Sequence, residues 1–151
     1  ACLLPRSRRR PRLLEATQTA FVAVVVNAVG DLDPLPPLVV VKPSPSDLWH
    51  LAAALRAPAV TALAARRSVG AARSAGRIKL SDSQVADLPL PADSTAWDEG
   101  ADLARALHGA GWAATSDAWM EFGEVMVRAY GASEEGLLEW WWACHPARSR
   151  A

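Results

Sequence analysis

Five cationic side chains, Arg66, Arg67, Arg73, Arg77 and Lys79, crowd into residues 66–79, together with Ser68, Ser74 and the small-residue run GAARSAG. The chemistry that suits them is recognition. Guanidinium forks grip phosphate or guanine through paired hydrogen bonds. Serine hydroxyls add short donors, and a loop of Gly, Ala and Ser lets backbone approach a groove closely. Arg66, Arg67, Arg73, Ser74, Arg77 and Lys79 are therefore the candidate contacts to a phosphate-bearing partner. A solvated basic helix end followed by a surface loop has the same composition, so this pattern needs independent support. Thr17, Gln18 and Thr19 form a second candidate, a polar contact with DNA or a neighbouring domain. Their plain alternative is a strand-end turn.

Covalent chemistry has no comparable residues. The sequence contains no glycine-rich strand-to-helix turn for a nucleotide or S-adenosylmethionine, no Gly-Lys-Ser/Thr loop and no G-x-S-x-G elbow. Cys144 and His145 are adjacent, and adjacent side chains on a helix diverge instead of converging on one ion. His50, His108 and His145 sit in or beside helical stretches, where a surface or core role is expected. The expectation is no catalytic residue, no metal and no cofactor held by this chain.

Charge is segregated along the chain. Residues 1–80 hold 12 Lys/Arg against 4 Asp/Glu, and residues 81–151 hold 4 against 12, although the net charge is zero. A basic first half facing phosphate and an acidic second half follow from that split. Two cysteines far apart indicate a reducing compartment, and no apolar run approaches a membrane span, so a cytoplasmic location without membrane contact is expected. The Arg-rich start, PRSRRRPR, and the absence of an initiating Met suggest a piece of a longer protein, with residues 1–11 as a basic linker.

The elements that would position the basic cluster follow from periodicity and turn chemistry. Residues 13–16, 20–26 (AFVAVVV), 38–42 (LVVVK) and 78–80 are β-branched or apolar and predict strands. Ser46 is the expected N-cap of a helix running through Leu55, with Leu48, Leu51 and Leu55 on one face. Pro58 fits the first turn of a second helix ending near Arg67. Ser81-x-x-Gln84 predicts a capping box on a short helix that Pro89 ends. Farther on, Trp97, Ala101, Ala104 and His108 mark one helix face. Trp119, Phe122, Met126 and Ala129 mark another, and residues 137–142 begin a third helix. Three consecutive tryptophans, Trp140, Trp141 and Trp142, cannot all face one core.

In this order the segments resemble the C-terminal specificity region of adenine-specific DNA methyltransferases of restriction-modification type. The matching pieces are LLEATQT at 13–19, the strand and Asp/Gly turn at 21–31, LVVV at 38–41, LWHLAAALRAPAV at 48–60 and RIKLSDSQVADLPLP at 77–91. The last resembles, in addition, an element of type I specificity subunits. Two departures stand out. Leu55-Arg56-Ala57 replaces the family's Leu-Asn-Ser, and the catalytic Asn/Asp-Pro-Pro-Tyr/Phe tetrapeptide is absent.

The resemblance implies an α+β module at 12–91, a small mixed sheet packed by helices, followed at 92–151 by an acidic Trp-rich helical tail. It further implies double-stranded DNA and a separate methyltransferase domain as partners, with S-adenosylmethionine bound in the parent enzyme and not here. The rival reading is a non-catalytic interaction or scaffold domain that docks a partner through its Trp-rich helices.

Overall fold

The computed structural model describes residues 46–68, 81–133, 135–145 and 147–148. Among the described residues six helices follow one another: α1 (Leu48–Arg56), α2 (Pro58–Ser68), α3 (Asp82–Ala86), α4 (Ser94–Ala110), α5 (Ser116–Ala129) and α6 (Leu137–Cys144), with a 3-10 turn at Gly111–Ala113 between α4 and α5.

Local sequence sets most of these boundaries. The Asp93 and Thr115 side chains cap α4 and α5 by accepting the N–H groups of Ala96 and Ala118 at 3.0 and 3.2 Å. Helix α4 ends at Gly111, whose φ of 56° with ψ of −121° is a conformation open to glycine and strained for other residues. Helix α1 stops at Ala57, because the residue before a proline is pushed to extended backbone (φ −58°, ψ 144°). Pro58 then opens α2, as expected. The cap of α1 falls on Asp47, one residue later than expected, and makes no side-chain cap bond.

Small residues decide how the helices meet. Ala53, Ala57, Ala96, Ala104 and Ala129 are all in the buried core, so helix axes approach closely without large side chains between them. Phe122, Met126 and Trp141, each with no exposed surface, fill the remaining space. Helices α4 and α5 form an antiparallel hairpin: the N–H groups of Ala92 and Asp93, at the start of α4, donate to the Ala129 carbonyl at the end of α5, at 3.0 and 3.1 Å. Helix α1 lies along α4, and α2 touches both α5 and α6. One core thus joins α1 and α2 to the acidic helices.

Two glycines mark the tightest contacts. A Cβ at Gly123 would stand 2.7 Å from Leu138 Cδ1 and 2.9 Å from Trp141 Cζ3, and one at Gly100 would collide with Met126.

This architecture corrects the α+β expectation. The described residues are helical and contain no strand, so a mixed sheet packed by helices is not the fold they build. The physical reason is the pairing just described, in which alanine-rich helix faces bury one another and need no sheet to cover them. The runs expected as strands, 13–16, 20–26, 38–42 and 78–80, lie outside the described residues. No single helix among the described residues is long and apolar enough to cross a membrane.

Candidate nucleic-acid interface

Helix α2 brings Arg66 and Arg67 to its last turn, and both are exposed. That placement is electrostatically sound, since cations near a helix C-terminus face the negative end of the macrodipole. Arg66 borders a shallow groove of about 130 Å³ whose other walls are Ala59, Ala62, Leu63, Ala132 and Leu137. Arg67 does something the sequence did not announce: its Nη1 donates to the Gln84 carbonyl at 3.3 Å, on α3.

Gln84 is itself the pivot of the predicted capping box. Its backbone N–H donates to Ser81 Oγ at 3.3 Å, and its Oε1 accepts the Ser81 N–H at 2.9 Å. Beyond α3, the Tyr130 hydroxyl donates to the Pro89 carbonyl at 3.0 Å, which fastens this segment to the end of α5. Burial raises the Tyr130 pKa above its usual value, so the phenol stays protonated and able to donate.

Of the candidate DNA contacts, then, the structure places Arg66 and Arg67 side by side on the surface. Arg73, Ser74, Arg77 and Lys79 lie outside the described residues, as do Thr17, Gln18 and Thr19. The Arg67–Gln84 bond joins the end of α2 to α3.

The acidic helices present the opposite potential. Asp98, Glu99, Asp102, Asp117, Glu121, Glu124, Glu135 and Glu139 are all exposed on or beside α4, α5 and α6. Among the described side chains of those helices, Arg105 and Arg128 offset only part of this charge, and Arg128 pairs with Glu99. An anionic partner would be repelled from that surface.

Each histidine packs against tryptophan. His50 Nε2 meets Asp98 Oδ1 at 2.8 Å, its ring stands edge-on to Trp97, and its carbonyl accepts the Trp97 indole N–H at 2.8 Å. His108 packs on Trp49, 5.2 Å between ring centres. His145 sits among Trp119, Trp141 and Trp142, stacked on the last. The described residues contain no group of three or more His, Cys, Asp or Glu side chains able to hold a metal. The tryptophan triplet divides as its spacing requires: Trp141 is fully buried, Trp142 half-buried and Trp140 exposed.

No family model matches this chain, and no curated protein or solved structure matches it either.

Proposed function

We propose that the chain is a helical DNA-sequence-recognition module of an S-adenosylmethionine-dependent adenine-specific DNA methyltransferase whose catalytic domain is a separate part of the enzyme. One observation carries this reading. The basic end of α2, which carries Arg66 and Arg67, is bonded to the RIKLSDSQVADLPLP segment through Arg67 and Gln84.

The division of labour follows from the chemistry. An enzyme that modifies a base takes it out of the stack, while another surface holds the flanking duplex in register. Here α4, α5 and α6 supply a rigid, acidic support, and the α2–α3 edge supplies the phosphate clamps. Methyl transfer and S-adenosylmethionine belong to the catalytic domain.

Fluorescence anisotropy with a duplex pool at two salt concentrations tests the reading. Binding should fall steeply with salt, and Arg66→Ala and Arg77→Ala should each flatten the log–log salt slope by roughly one unit. Salt-insensitive binding, or variants with unchanged affinity and slope, would overturn it. The second reading, a docking domain for a protein partner, is favoured by the exposed Trp140 on α6, and it predicts no salt-dependent DNA binding at all.

A further inference from the structure

Arg66 and Arg67 are neighbours in sequence, yet they face different parts of the molecule. Successive residues of an α-helix point about 100° apart. Arg66 borders the groove walled by Ala132 and Leu137, whereas Arg67 turns to α3 and donates through Nη1 to the Gln84 carbonyl at 3.3 Å. The Gln84 that accepts this bond also closes the capping box with Ser81, so one residue ties the start of α3 to the end of α2.

A second donor holds the same segment farther along. The Tyr130 hydroxyl donates to the Pro89 carbonyl at 3.0 Å, and Tyr130 itself packs against the core. Both acceptors are main-chain carbonyls, so these bonds fix the path of the backbone. Leu88, between them, packs on the core, while Leu90 beyond them is 59% exposed. Arg77 and Lys79 stand four and two residues before Ser81. A chain spans at most about 3.6 Å per residue, so the place at which Ser81 is held limits where those two cations can reach.

We propose that Arg67 and Tyr130 are positioning residues of the recognition surface, bracing the 81–91 segment against the ends of α2 and α5, and that Arg67 acts on DNA through this brace and not as a phosphate clamp. The assignment rests on the DNA-recognition reading above and divides its labour, leaving phosphate contact to Arg66, Arg73, Arg77 and Lys79. Salt separates the two roles. A side chain that neutralises a phosphate contributes to the salt slope, whereas one that only holds backbone changes affinity alike at every salt concentration. Tyr130→Phe removes a hydroxyl and no charge, so it shows what loss of the brace alone does.

The test measures duplex binding by fluorescence anisotropy over a salt series, and hydrogen exchange of α3 amides, in the full chain and its Arg66→Ala, Arg67→Ala and Tyr130→Phe variants. Arg67→Ala and Tyr130→Phe should each lower affinity about two- to tenfold, the range of one lost hydrogen bond, with the native slope kept. Exchange at the Val85 and Asp87 amides, which donate to the Ser81 and Ser83 carbonyls, should quicken in both while the core amides of α4 and α5 keep their native rates. Arg66→Ala should do the reverse, flattening the slope and leaving α3 exchange unchanged. If Arg67→Ala flattens the slope by roughly one unit, or leaves α3 exchange at its native rate, the proposal is overturned while the DNA reading stands. A native chain without salt-dependent duplex binding overturns the DNA reading itself, and this assignment falls with it.

Discussion

The α4–α5 hairpin and the α2–α3 edge are joined by one chain and built on different physics. In the hairpin, Ala96, Ala104 and Leu107 meet Phe122, Met126 and Ala129 in the buried core, both helices carry side-chain N-caps, and backbone bonds tie the open end. At the edge, a five-residue α3 is fixed by its own capping box, by Arg67 and by the Tyr130–Pro89 bond. The first region gains stability from area removed from water. The second rests on single hydrogen bonds, each contributing about 0.5–1.5 kcal/mol. Under the proposed function, stability and recognition fall to different residues, and substitutions should separate them.

The largest effect is expected in the support. Trp141 has no exposed surface and lies against Phe122, with ring centres 6.4 Å apart. Trp141→Ala should cost about 3–5 kcal/mol in urea or thermal unfolding, since the cavity collapses only in part. A loss below about 1 kcal/mol would mean that α6 is not a structural part of the core. Gly123→Ala comes next. The added methyl meets Leu138 Cδ1, which can turn away, and the Trp141 ring, which is enclosed. Overpacking of this kind costs about 1–3 kcal/mol. Both substitutions should leave the salt dependence of DNA binding unchanged wherever the protein is still folded, because neither touches the basic edge.

How much of this was legible in the sequence depends on the range of the interaction. The face of α5 was legible: Trp119, Phe122, Met126 and Ala129 recur at helical spacing, and all four are buried. The Ser81–Gln84 capping box was legible too, because both partners lie within one turn. Burial on α1 is not confined to the leucine face. Leu48, Leu51 and Leu55 are only half-buried, while Ala52, Ala53, Ala54 and Arg56 are buried, because α1 is covered from more than one side and its small residues let α4 come close. A buried arginine runs against its transfer cost, so no composition or periodicity rule singles out Arg56.

The sheet was misjudged for a related reason. An apolar β-branched run reports that a segment is to be buried, not what covers it, and the described core is covered by helices alone. At the candidate interface, sequence gave the basic residues of α2 but not the Arg67–Gln84 bond, whose partners are 17 residues apart and meet only in the folded chain.

The smallest expected effect sharpens the contrast most. Ser81→Ala removes the hydroxyl that accepts the Gln84 N–H, while the Gln84 Oε1 can still accept the Ser81 N–H. The loss of such a cap costs about 0.5–1 kcal/mol of local helix stability. Since α3 is only five residues long and no more than half-buried at Gln84, this loss should appear as faster hydrogen exchange at the Gln84 amide and hardly at all in the global melting midpoint. Loosened Gln84 also weakens the carbonyl position that Arg67 holds, so the DNA affinity of Ser81→Ala should fall slightly while its salt slope is kept. A global destabilisation as large as that of Gly123→Ala would break the comparison, because it would place the α2–α3 edge inside the same cooperative unit as the hairpin.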